Sequence, residues 1–327
     1  MFKNKIVLVT GGTGFIGSHI VDKCLAENAE KVIAFDNLIG SKTSNVNHIT
    51  NKPDLKDRFQ FIKGDVADVK AINPLVKEAD IIFHEAASKL VVSLKNPRID
   101  MHTNIIGTFN ILEAAQQSDK RIIHASTGSV LGSSDKPMKE DDNPRPTTAY
   151  GISKLAAEKY CQFYAKEYGV KVCVLRYFHV FGPRQDYSGE AGVINIFLSR
   201  VLQGKPPVIY SGGKQIRCFT YVSDDVDANL LLLKNKKTIG EIYNVASRTR
   251  MSVNELAHII IKKYAKAKNK DMKPVMGEHR MGENFRPIPD TSKIEKLGFK
   301  EKVSFKDGLE ITKQWIAGDI KKKGKKT

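Results

Sequence analysis

The chain has 327 residues, 41% hydrophobic and 27% charged, which suits one large α/β domain or two smaller ones. No apolar run reaches the roughly 20 residues of a membrane span, and four scattered cysteines without a C-x-x-C exclude a zinc ribbon and a disulfide framework. A formal charge of +17 raises nucleic acid or an anionic substrate as partner, with a solvated lysine-rich surface as the plainer account.

The chain starts directly in a strand-like run, with no apolar h-region and no cleavage site, so no secretory signal and a reducing cytoplasm are expected. Lys5–Thr10 (KIVLVT) reads as a buried strand, and Phe15–Asn28 as a helix with Ile16, Ile20, Cys24 and Leu25 at helical period. Lys31–Asp36, Phe59–Lys63 and Asp80–His84 are the next strands. A long helix over about Ile99–Gln117 precedes strand Arg121–Ala125, and a helix over about Tyr150–Tyr168 precedes strand Lys171–Arg176. This alternation predicts an α/β fold, a Rossmann-type doubly wound parallel sheet with helices on both faces. After about Tyr177 the rhythm changes, with Gly182-Pro183 and Gly204-Lys-Pro-Pro207 as breaks. Helices are expected at Val193–Gln203, Asp224–Lys234 and Ser252–Tyr264, the last opened by a Ser252/Glu255 capping box. The expected organisation is a first domain, 1–177, and a smaller α/β lobe, 178–327, of which 219–244 packs back on the first sheet.

Gly11-Gly-Thr-Gly14-Phe-Ile-Gly17 lies between the first strand and the first helix. A tight turn, close approach to a diphosphate and close helix packing each exclude a Cβ there, and the helix N-terminus favours the anion. Gly11, Gly14, Phe15, Ile16 and Gly17 are therefore candidate cofactor contacts. Asp36 ends the next strand, 19 residues after Gly17, where a carboxylate accepts from a ribose diol and repels a 2′-phosphate. Asn37 and Leu38 follow it, with no Arg or Lys, so NAD is expected in preference to NADP. Tyr150 and Lys154 stand four apart on one helix face. A neighbouring ammonium and a cationic nicotinamide would favour the phenolate, lowering an ordinary value of about 10 toward that of a usable base.

With these motifs the chain resembles the extended short-chain dehydrogenase/reductase family, in its nucleotide-sugar epimerase and dehydratase branch. The resemblance covers nearly the whole chain. Its pieces are Gly11–Gly17, Asp36-Asn37-Leu38, Gly64-Asp65-Val66, His84-Glu-Ala-Ala87, Asn104, Ser126-Thr127, Tyr150-x-x-x-Lys154, Arg176 to Gln185, Arg217 to Asp225 and Asp290-Thr-Ser-Lys293. It implies that Asp65 and Val66 border the adenine, that Ala86, Ala87 and Lys89 border the centre of the cofactor, and that Asn37 and Asn104 belong to the same site. It further implies that Thr127 hydrogen-bonds the reacting sugar hydroxyl, Tyr150 is the acid/base and Lys154 binds the nicotinamide ribose. On the substrate side it implies Arg217 and Arg280 on a diphosphate, Tyr210 near the base, and His179, Val193 and Pro287 along the sugar nucleotide. Two convergent arginines suit a diphosphate as bidentate donors. The family usually has Asn at the His179 position. A single similar hydrogen bond from His and a new catalytic role are the two accounts of this change. Leu131 replaces a usual Tyr, a packing change, and His84 reads as structural. No histidine spacing suggests a metal.

Dehydratases of this family carry Asp-Glu after the Thr, and decarboxylases Ser-Glu. This chain has Gly128-Ser129. The resemblance thus implies 4-epimerisation of a nucleotide sugar, a UDP-hexose or UDP-N-acetylhexosamine, by a homodimer paired through the Tyr150 helix and the long helix before it. A 4-keto-sugar reductase using NAD(P)H is the main alternative, a dehydratase the next. An NAD-sensing or RNA-binding member would be expected to lose the Tyr or Lys and to interleave aromatics with its basic residues, and this chain does neither. Neither nucleic acid nor membrane insertion is expected.

Overall fold

The computed structural model describes residues 1–88, 90–189, 192–269, 271–279 and 287–324. Strands β1 (Ile6–Thr10), β2 (Lys31–Asp36), β3 (Phe59–Lys63), β4 (Ile81–His84), β5 (Arg121–Thr127), β6 (Lys171–Tyr177) and β7 (Ile242–Val245) form a parallel sheet in the order β3-β2-β1-β4-β5-β6-β7. Val7 pairs with Val32 on one side and Ile81 on the other. The β-branched runs follow from burial on both faces. Val7 and Val9 face α1 (Phe15–Ala26), whereas Leu8 between them faces the opposite layer. That layer holds α2 (Val69–Glu78), α3 (Gly107–Ala114) and α4 (Ala149–Tyr168).

β7 comes from the second half of the chain and closes the sheet beside β6, with Ile242 opposite Val174. It follows α6 (Val222–Lys234), whose Val226, Leu230 and Leu233 pack into the α1 layer. The remaining lobe packs α5 (Val193–Leu202), α7 (Val253–Tyr264) and α8 (Phe305–Lys323) together through Phe197, Leu198, Leu256, Ile260, Leu309 and Ile316. Ser252 and Glu255 make the expected reciprocal capping box on α7.

The expected single helix over about Ile99–Gln117 is interrupted. Pro97–Asp100 is α-helical, Met101–Ile106 is π-helical, and only Gly107–Ala114 resumes the α form. The wider turn lets Asn104 point inward, where it bonds both Ser88 and Ser153. α2 runs unbroken through Pro74, a residue that normally ends a helix.

Candidate functional site

Strand order changes direction between β1 and β4, and a cleft of about 820 Å³ opens at the strand carboxyl ends. Gly11, Gly14, Phe15, Ile16, Gly17, Asp36, Asn37, Val66, Ala86 and Ala87 all line it. Gly11 has a φ of 66°, and a Cβ there would sit 2.8 Å from the Ala86 nitrogen. α1 starts at this turn with no side-chain cap and no acidic residue in its first turn, leaving its N–H groups to an anion. Asp36 is buried. Its Oδ1 accepts from the Leu38 N–H (2.9 Å) and the Ser41 hydroxyl (2.6 Å), and its Oδ2 from the Thr13 N–H (3.1 Å). A carboxylate has about four acceptor positions, so one is left on Oδ2. Asn37 donates to Asp65 (3.0 Å), which lies behind the cleft wall and also holds the Ala67 N–H. Lys89 lies outside the described residues.

Tyr150 follows the Thr148 N-cap of α4, and its side chain is hydrogen-bonded to Thr127 at the end of β5. Burial pushes the Tyr150 phenol up to about 12, Thr127 draws it down, and Asp100 and Glu85 raise it. The lowering expected from Lys154 is absent from this balance, because burial drives Lys154 itself down to about 8. Its Nζ is buried and has no hydrogen-bond partner among the described residues. An orphaned buried donor one turn from Tyr150, the cradle at Gly11 and the open end of α1 fit a dinucleotide. Asn104 is buried outside the cleft lining. It joins the Ser88 loop to Ser153, next to Lys154 on α4, as a positioning residue.

His179, Val193, Tyr210, Arg217 and Pro287 line the other end of the cleft, together with Thr127. Arg280 lies outside the described residues. His179 is held neutral by burial and by Arg217 beside it, and its Nδ1 has no partner among the described residues. A neutral ring offers one donor, which suits replacement of an amide better than proton transfer. His84 is buried between Thr10 (2.7 Å) and Thr108 (3.0 Å), a structural role as expected.

Several cleft residues were not among the expected site residues, some of them although they lie inside the motifs. Glu85, Tyr177, Phe178 and Gln185 line it from strand ends, and Trp315, Asp319 and Lys323 from α8. Lys323 donates to the Tyr187 hydroxyl (2.8 Å), and Tyr187 donates to Asp319 (2.5 Å), so this part of the basic tail is paired. Among the described residues no cluster could hold a metal ion, and no helix is long and apolar enough to cross a membrane.

Fold and cleft together are those of a dinucleotide-binding α/β protein. Residues 7–246 match the NAD dependent epimerase/dehydratase family, and the chain belongs to that family. NAD is its cofactor. The chain is similar to the solved UDP-glucose 4-epimerase of Thermotoga maritima, at 35% identity, with 96% of this chain and 99% of that one covered and a TM-score of 0.86. It is also similar to a UDP-N-acetylglucosamine 4-epimerase from Methanobrevibacter ruminantium solved with UDP-N-acetylmuramic acid, at 33% identity, 97% and 99% coverage and TM-score 0.86. A UDP-N-acetyl-alpha-D-glucosaminuronate decarboxylase of Bacillus cytotoxicus is 34% identical, over 95% of this chain and 98% of its own length. The chain is thus an NAD-dependent enzyme of nucleotide-sugar modification.

Proposed function

We propose that the enzyme is a nucleotide-sugar 4-epimerase, acting on a UDP-hexose or a UDP-N-acetylhexosamine. The observation that carries this reading is the packing at Gly128. A Cβ at that position would run into the ring of Phe178, a cleft residue. A carboxylate side chain directly after Thr127 is therefore excluded by space, and Ser129 follows it. Elimination loses the acid that dehydratases place at Gly128, and Ser129 stands where dehydratases and decarboxylases carry Glu. The acid/base that supports this reading is Tyr150, with Thr127 hydrogen-bonded to its side chain.

NAD, when bound, supplies reversible hydride transfer. Tyr150 takes the proton of the C4 hydroxyl and returns it after the 4-keto sugar has turned in the cleft. Thr127 orients that hydroxyl, and Lys154 holds the nicotinamide ribose and offsets the charge on Tyr150. Arg217 and Tyr210 hold the nucleotide end, so binding energy retains the intermediate without fixing the sugar ring. Pro287, compact and rigid, lines the cleft, which supports acceptance of a 2-acetamido sugar.

The test is product analysis by NMR with UDP-glucose and UDP-N-acetylglucosamine, and retention of bound NAD. C4 epimers without net NADH consumption are expected. Tyr150→Phe should keep the cofactor and lose about 10²–10⁴ in turnover. A 6-deoxy-4-keto product, released carbon dioxide or stoichiometric NADH oxidation would replace this reading.

A further inference from the structure

β4 stands between β1, which carries the phosphate loop, and β5, which carries Thr127. The residue just past its end, Glu85, therefore borders the nicotinamide half of the cleft and not the adenosine half. Glu85 is half-buried as a residue and lines that cleft. Nothing in the hydride and proton transfers described above uses it.

The carboxyl belongs to a network that runs under the sheet edge to α6. The Tyr177 hydroxyl lies 2.9 Å from Glu85 Oε1. Asn229 Nδ2 donates to the Tyr177 oxygen at 2.7 Å and to the Asp225 carbonyl at 2.8 Å. The amide nitrogen is the nearer of the two Asn229 atoms, its Oδ1 being 3.1 Å from the hydroxyl. Tyr177 has one proton, so it points to Glu85. A donor fixed in this way serves the ionised carboxylate. Asp225 is fully buried, and neither carboxyl oxygen has a partner among the described residues. It stays protonated, leaving Glu85 as the acid that can ionise.

We infer that Glu85 is the counter-charge of the oxidised cofactor: its carboxylate favours the cationic nicotinamide of NAD⁺ over the neutral ring of NADH. Such a bias opposes accumulation of reduced cofactor if the keto sugar escapes, which leaves an enzyme that must return its hydride inactive. The inference rests on the cofactor lying in this cleft, and not on which sugar is turned over. The charged and titratable groups facing Glu85 are Tyr177 on β6, Lys154 and Tyr150 on α4, and Asp225 on α6. Burial holds the Glu85 carboxyl at about 7, with Tyr177 and Lys154 pulling it down. Near neutrality it is part protonated, and arrival of the cationic ring releases that proton to solvent.

The experiment measures dissociation constants of NAD⁺ and NADH for the full-length protein from about pH 6 to pH 8.5, bracketing the carboxyl. In the wild type the preference for NAD⁺ should rise with pH. Glu85→Gln, close in shape, should lower that preference roughly tenfold at the upper end and flatten its pH dependence. Tyr177→Phe keeps the carboxyl without its donor and should move the rise to higher pH. Equal weakening of both cofactors by Glu85→Gln would mean a packing role and overturn the inference, as would a rise unmoved in Tyr177→Phe. A wild type that binds neither dinucleotide would overturn the cofactor site first, and the inference with it.

Discussion

Glu158→Gln is the substitution expected to cost most for the smallest change in shape. Glu158 sits one helical turn beyond Lys154 on α4, and Arg176 lies on β6. Arg176 Nε and Nη2 meet the two Glu158 oxygens at 2.9 and 2.7 Å, with side chains only 2% and 0% exposed. Ser126 on β5 adds a hydrogen bond to Oε1 at 2.5 Å. The pair thus pins the Tyr150 helix to the two strands beside it. Glutamine keeps the volume but removes the charge and turns an NH₂ toward the guanidinium. Arg176 is left buried with the Glu140 carbonyl (3.1 Å). Breaking one side of a buried pair costs about 3–5 kcal/mol, because the other charge stays behind. At about 2–3 °C per kcal/mol for a large domain, the Tm should fall by roughly 6–15 °C, read by circular dichroism. Replacing both partners, Glu158→Leu with Arg176→Met, should recover most of that loss. A single-variant cost under about 1 kcal/mol, or a double variant worse than the single, would refute the reasoning.

Acid should destabilise the protein through its buried histidines. Burial keeps folded His84 at about 3 and His19 at about 4, whereas the unfolded chain takes up those protons near 6.5. The unfolded state binds more protons in that window, so stability falls as pH drops from about 6.5, by up to about 1.4 kcal/mol per unit per histidine. His84→Gln should flatten the acid limb of a urea-denaturation series, and an unchanged limb would contradict this account. Pro287→Tyr should lower turnover of UDP-N-acetylglucosamine more than that of UDP-glucose, since overfilling acts on the larger sugar; equal effects would remove the pocket argument. The homodimer expectation from Phe109, Ile111, Phe163 and Tyr164 loses Ile111 and Tyr164, which are buried within the chain; the exposed apolar residues on the Met101–Ile106 turn and α4 are Ile106, Ile152, Tyr160 and Phe163, each exposed by 39% or more. Light scattering should give a dimer that Phe163→Glu dissociates, and a monomeric wild type at micromolar concentration would dismiss it.

Much of the sheet could be read from residues alone because parallel strands buried on both faces leave unbroken runs such as KVIAFD. The glycine turn was equally legible, since steric demand at Gly11 admits few residue types. The π-helical turn at Met101–Ile106 was not. It places Asn104 against Ser88 and Ser153, partners 16 and 49 residues away, and no local period records them. α8 was hidden for another reason: its lysines dilute a narrow apolar stripe of Leu309 and Ile316. Glu85 and Asp225 are charged letters in otherwise ordinary motifs, and only burial reveals that they share one network. A downward pull of Lys154 on Tyr150 was expected from spacing, yet it is absent, because burial drives Lys154 itself down.

The position of β7 bears on how the protein can be made. Its four residues are translated some 65 positions after β6, yet they occupy the ladder beside it. Until Val245 has left the ribosome, β6 offers a row of unpaired amides and carbonyls along an apolar strand. Such an edge is a template for joining to another chain. A nascent chain paused between the two strands, or a fragment cut after Tyr177, therefore carries a sticky border that the finished protein conceals. Soluble production should depend on carrying synthesis through the seventh strand, and holding chaperones should be most needed across that interval.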